Sequence, residues 1–152
     1  MKKVLIVLIF SLSVLNIWGQ KPNPEFNSEL AKKYGGDENG MKNYYMVILR
    51  TGPNNIQDKS LRDSLFAGHM NNIKRLANDG KLVVAGPFGS NGKGYRGIFI
   101  LDAKSEDEAR ELVMTDPVVK AKVLDAEIIE WYGSAALPSY LDVHGKITKN
   151  KD

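Results

Sequence analysis

The 152-residue chain sets 21 lysines and arginines against 18 aspartates and glutamates, with two histidines and no cysteine, for a formal charge of +3 at pH 7. A balance this mild, with both signs interspersed, leaves no electrostatic footprint for nucleic acid. The missing thiols exclude disulfides, thiolate nucleophiles and cysteine-ligated metals, so stability must come from packing.

Residues 1–19 read as a secretory leader. Lys2 and Lys3 are followed by a stretch to Leu15 that is apolar apart from Ser11 and Ser13, and Ile17-Trp18-Gly19 precedes a polar segment. The apolar run of about a dozen residues is shorter than the roughly 20 that a bilayer span needs. The expectation is an exported chain, periplasmic or secreted, with no stable membrane insertion after leader removal and no cysteine to carry a lipid anchor. Loss of Lys2 and Lys3 takes the formal charge from +3 to +1, two positive charges fewer.

Residues 20–40 form an N-terminal arm. Lys21-Pro22-Asn23-Pro24 is linker-like, and a short helix is expected over 28–34, begun after Asn27 and stopped by Gly35-Gly36. Packing over the fold and serving as a mobile spacer are both open to this arm. The main domain is expected over 41–132. Its first strand, 44–49 (Tyr-Tyr-Met-Val-Ile-Leu), is apolar on both faces, which favours sheet-to-sheet pairing of two copies as a homodimer.

Turn residues 51–55 lead into a long helix over 60–79, in which Leu61, Leu65, His69, Ile73 and Leu76 recur at spacings of three and four. His69 therefore points the same way as the core-facing leucines. Strands over 82–85 and 97–101 flank a glycine-rich connection and form a hairpin. Ser105 with Glu108 makes a capping box for a helix over 106–114, and Asp116-Pro117 opens a shorter helical piece to 122. The last strand is expected over 126–131. The order is β-α-β-β-α-β, an α+β ferredoxin-like fold with a four-stranded antiparallel sheet and both helices on one face. Residues 133–152 read as a C-terminal arm with a frayed end, and His144 within it has no periodic context.

Gly92-Lys93-Gly94-Tyr95-Arg96-Gly97 matches G-x-G-x-x-G letter for letter, but a dinucleotide site needs a helix after it, and here a strand follows. The loop can still border a pocket, with Arg96 meeting an anionic group. A buried imidazole must be hydrogen-bonded or line a cavity, so His69 is open to two roles: an interior donor, or a proton-transfer group. Asp116 is likewise open to two, as the cap of the helix that Pro117 begins and as a carboxylate brought by the crossover to orient the histidine. Two histidines without a nearby H-x-x-x-H or carboxylate pattern argue against a metal site.

These features together resemble the YCII-related (YciI-like) family over roughly 41–131. The resemblance is carried by Tyr44 through Leu49, His69, Leu76 through Gly80, Leu82 with Ala85-Gly86-Pro87-Phe88, Ser105 through Ala109, Asp116-Pro117 and Ala126 through Trp131. It implies a dimeric α+β barrel with a His and Asp active-site pair falling on His69 and Asp116, and with the turn Gly86-Pro87 at the edge of the cleft. The wider group includes a dehydrochlorinase of aromatic degradation and is similar in fold to muconolactone isomerases and small monooxygenases. The leader and the two arms depart from the family's usual pattern.

The functional expectation is a cofactor-independent lyase or isomerase acting on a small cyclic or aromatic molecule. His69 would be its acid or base and Asp116 the orienting partner. Phe88, Tyr95, Arg96, Gly86 and Pro87 are the expected substrate contacts: a lid residue, an aromatic wall, a cationic clamp and the turn at the cleft edge. The alternative is a non-catalytic exported binding or interaction module, and a third reading makes His69 a haem ligand.

Overall fold

Four antiparallel strands in the order β2-β3-β1-β4 organise the protein, with β1 (Met41–Thr51) at the centre between β3 (Tyr95–Leu101) and β4 (Leu124–Ser134). The hairpin partner β2 (Leu82–Pro87) forms one edge. This is the ferredoxin-like order, and the computed structural model that displays it describes residues 23–149. The expected leader, 1–19, lies outside the described residues.

The strands are longer than their apolar runs: β1 continues as far as Thr51, where it still pairs with Leu124 of β4. Alternation along β1 separates two layers. Val47 and Leu49 face a core shared with Leu76, Phe99, Leu101, Val113 and Val118, whereas Tyr44 faces the opposite side with Val83 and Ile100. The first layer is covered by α2 (Lys59–Asn78), α3 (Glu106–Val113) and the single turn α4 (Pro117–Lys120). Ser105 caps α3 through Glu108 N–H, and Glu108 reaches back to the amide of Lys104 while pairing with Lys81, which holds its carboxyl below the usual range. Among the described residues, no helix is long and apolar enough to cross a membrane.

Both arms are fastened to the sheet. Helix α1 (Ser28–Tyr34) is capped by Asn27 and closed by Gly35 in the left-handed conformation, and Tyr132 on β4 donates its hydroxyl to Asp37. The C-terminal arm carries helix that its sequence pattern does not announce. A 3-10 turn, Leu137–Tyr140, runs into α5 (Leu141–Ile147). Leu137 packs on the Tyr44 cluster and Tyr140 donates its hydroxyl to the Val83 carbonyl, so apolar contact orders a stretch without helical periodicity. This covers one part of the second sheet face, while Ile129 on that face stays exposed.

Tyr44 is fully buried, stacks against Trp131 at 5.8 Å and donates its hydroxyl to the Ser134 carbonyl at 3.0 Å. Burial, with a smaller push from the Asp102 charge, raises its pKa from the ordinary 10.0 to about 12. A raised folded-state pKa means that the stabilisation is complete below pH 10 and is lost as pH climbs towards 12. Over that window the natural chain should lose about 2 kcal/mol more than Tyr44→Phe, which has no proton to release there. Denaturant midpoints of the two proteins from pH 9 to 12 check this, and parallel losses would contradict it.

Candidate functional site

Helix α2 begins where Asp58, in extended conformation, accepts the Leu61 amide at 3.1 Å. Residues 59–64 are all exposed, Leu61 at 50%, so the first turn and a half overhangs the sheet and Leu61 does not join the core. The stripe becomes a core contact from Leu65 onward, with Ile73 and Leu76 packed against β1 and β3 residues. His69 lies in the middle of that stripe. Its ring stacks on Phe99 at 6.0 Å and meets the edge of Phe66 at 6.1 Å.

The His69 side chain is 12% exposed, and its Nδ1 lies 2.6 Å from Oδ2 of Asp116, whose side chain is 1% exposed. The other carboxylate oxygen of Asp116 accepts the Val118 amide at 3.0 Å as the cap of α4. Asp116 thus caps α4 and contacts His69 at the same time. Shielded from solvent, the carboxylate accepts from these two donors, and the short contact requires the proton on the Nδ1 side in neutral imidazole. Nε2 makes no hydrogen bond to any described residue and is left with its lone pair.

The approach of α4 to α2 depends on one glycine. A Cβ on Gly68 would lie 2.8 Å from Cγ of Pro117, so the residue beside His69 lets the residue beside Asp116 come close. A polar brace adds to this one turn along α2. Arg75 Nη2 donates to Asn72 Oδ1 at 2.8 Å and to Thr115 Oγ1 at 2.9 Å, while the Thr115 hydroxyl lies 2.6 Å from the Leu112 carbonyl and 3.0 Å from Asn72 Oδ1. Asn72, Arg75 and Thr115 hold the α3–α4 connection against α2, yet nothing in their spacing marks them out before the fold is known.

His69 forms part of the wall of a cavity of about 410 Å³. Its other walls are mainly apolar: Phe66, Met70 and Ile73 from α2, Leu49, Phe99 and Leu124 from the sheet. Gly86, Pro87 and Arg96, all expected near the site, line it too, and Gly97 completes the β2–β3 edge. Asp116 stands behind the imidazole, outside the lining residues.

Phe88 and Tyr95 are placed elsewhere. Gly97 pairs with Leu49 of β1 but Tyr95 pairs with Arg50, so Arg96 is the extra residue of a β-bulge. Strict alternation would put Tyr95 on the side of Gly97 and Phe99 and turn Arg96 away. The bulge reverses this. Arg96 lines the cavity, while Tyr95 lies 5.3 Å from the Arg50 guanidinium and 6.1 Å from the Phe88 ring. Phe88 and Tyr95 border another cleft of about 350 Å³, which meets the His69 cavity at Pro87 and Arg96 and is formed with the glycine-rich loop that Asn91 organises by accepting the Lys93 and Tyr95 amides.

Residues 43–132 match the family model of the YCII-related domain. The uncharacterized protein YjpA of Bacillus subtilis (strain 168) is 32% identical over 91 residues, which are 60% of this chain and 95% of that protein. Among solved structures, 5-chloro-2-hydroxyhydroquinone dehydrochlorinase (TftG) from Burkholderia phenoliruptrix AC1100, in complex with 2,5-dihydroxybenzoquinone, is 26% identical. That match covers 57% of this chain and 90% of that one with a TM-score of 0.39, a superposition too loose to decide fold or chemistry here.

Proposed function

The chain belongs to the YCII-related domain family, and from that premise and the geometry around His69 we propose a cofactor-independent enzyme of the lyase or isomerase type acting on a small cyclic or aromatic molecule. One observation carries the reading: an imidazole in the wall of an apolar cavity is bonded through Nδ1 to a buried carboxylate, which leaves Nε2 for a bound molecule.

In the neutral ring Nε2 takes a proton from a carbon acid of the substrate, and the imidazolium so formed is stabilised by Asp116 beside it. The electron pair left on carbon either expels a leaving group, as in a lyase, or moves along the ring system and is reprotonated at another atom by the same imidazolium, as in an isomerase. Apolar walls strengthen the carboxylate–imidazolium attraction, which offsets what desolvation takes from the basicity of Nε2. The arrangement suits a flat ring, since Phe66 and Phe99 already flank the imidazole.

The test is proton exchange. A panel of cyclic and aromatic carbon acids incubated with the protein in D₂O should include molecules that gain deuterium at one carbon, and His69→Gln should lower that rate by about 10²–10⁴-fold while ligand binding persists. Ligands that bind without exchange, with a His69→Gln effect confined to affinity or stability, would replace the enzyme by a non-catalytic binding module.

We further propose that a second copy covers the open part of the second sheet face, where exposed Ile129 pairs with the half-buried Met46. Light scattering should return twice the mass of the chain. A chain that stays monomeric at high micromolar concentration would exclude the pairing.

A further inference from the structure

Beside the His69 cavity lies a second cleft of about 340 Å³, and the two share Phe66, Arg96 and Leu124 as a common wall. Its lining is of a different kind: Arg62 from the exposed start of α2, Arg96 from the bulge, and Asn54 and Asn55 from the loop between β1 and α2.

The chain has five arginines. Arg50 pairs with Glu127, Arg75 with Asp79 and Arg110 with Glu106. Arg62 and Arg96, the two that line this cleft, have no carboxylate partner among the described residues. The acids nearest Arg62 in the sequence are engaged elsewhere, since Asp58 caps α2 through the Leu61 amide and Asp63 pairs with Lys59. The Nδ2 of Asn54 is spent on the Ala121 carbonyl at 2.9 Å, so the two guanidinium groups are the cleft's cations and share its lining with the Asn55 amide. Arg96 reaches this position only because the bulge turns it out of strict alternation, a local departure of the kind that re-aims side chains beside sites.

Resting on the reading of the His69 cavity as a substrate site, we infer that the substrate is an anion: a ring held against His69 and Phe99 with a carboxylate-type substituent extended into the adjoining cleft. Arg96 stands at the junction and fixes the inner end of that substituent, and Arg62 meets its outer side. Guanidinium matches the planar, two-oxygen geometry of a carboxylate, and two unpaired cations across an open cleft favour anions over neutral analogues of the same shape. The clamp also orients the ring, because an anion drawn towards Arg96 turns the opposite edge of the ring towards Nε2 of His69.

The experiment compares benzoate with benzamide, its neutral counterpart, on the full chain. Binding is followed by NMR through the ring signals of His69 and Phe99, in the natural protein and in Arg96→Gln and Arg62→Gln. Benzoate should bind at least tenfold more tightly than benzamide, and added salt should weaken benzoate alone. Arg96→Gln should bring the ratio near one, and Arg62→Gln should reduce it several-fold. Equal binding of the two probes, with the His69 signals moving for both, would overturn the anionic substrate and leave the cavity reading intact. If neither probe moves the His69 or Phe99 signals at tens of millimolar, the inference falls together with the reading on which it rests. A benzoate preference unchanged in both arginine variants would also overturn it.

Discussion

Replacing Asp116 with alanine should lower the stability of the protein by about 3 kcal/mol, the sum of a lost helix cap at about 1 kcal/mol and a stranded buried donor at about 2. Both losses follow from one carboxylate serving two partners: the Val118 amide at the start of α4 and Nδ1 of His69 on α2. Asp116→Asn separates them. Its amide oxygen can still accept the Val118 amide, so the cap survives and the stability cost should stay within about 1 kcal/mol. Its amide nitrogen, however, presents a donor to Nδ1, and two donors cannot meet. The imidazole must then carry its proton on Nε2, which turns the face towards the cavity from an acceptor into a donor. Turnover by proton abstraction would be lost in a protein that remains folded. Urea midpoints of the two variants give the stability half of this contrast, and equal destabilisation by alanine and asparagine would contradict the division of labour.

The second large effect is expected at Gly68→Val. Even a single Cβ there would come within 2.8 Å of Pro117 Cγ, so a branched side chain must push α4 away from α2. Overpacking of this kind costs about 1 to 3 kcal/mol, and the added methyl groups place valine towards the upper end. Alanine at the same position recovers about 1 kcal/mol of helix propensity but still meets Pro117, so it should cost less than valine without reaching the stability of the natural protein. The functional consequence differs from the energetic one. Displacing Pro117 displaces Asp116 next to it, so the 2.6 Å contact with His69 opens in both variants, more widely with valine. A valine variant as stable as the natural protein, with unchanged His69 ring signals, would show that Gly68 does not set this approach.

The layered architecture is legible in the chain because each element carries a local cause. The β1 run is apolar and β-branched, Asn27, Ser105 and Asp116 are caps of the expected kind, and Gly35 stops α1 in a left-handed turn. The inward aim of His69 is likewise a matter of helical spacing. Its contact with Asp116 is different in kind: it depends on Gly68 meeting Pro117 and on the Asn72–Arg75–Thr115 brace, approaches between segments 40 or more residues apart that no periodicity encodes.

The placement of Tyr95 and Phe88 away from the His69 cavity has an equally definite cause. Alternation counted back from Phe99 and Gly97 assigns Tyr95 to the pocket, and one extra residue at Arg96 reverses every side-chain direction before it. A bulge leaves no mark in composition beyond the neighbouring glycines, so the exchange of an aromatic wall for a cation is visible only in the register. The C-terminal turn and α5 are missed for a related reason. Leu137 and Tyr140 are placed by the apolar sheet face beneath them, and the helix start at Tyr140 has no side-chain cap to announce it.

In the proposed site Asp116 holds His69 with its proton on Nδ1 and its lone pair on Nε2, towards the cavity. Long-range ¹H–¹⁵N NMR of the imidazole rings tests it most directly, and with only two histidines, His69 and His144, the assignment is simple. Neutral His69 should show an unprotonated Nε2 in the natural protein and the opposite tautomer in Asp116→Asn. A His69 ring that carries its proton on Nε2 in the natural protein, with signals that do not change in Asp116→Asn, would contradict it.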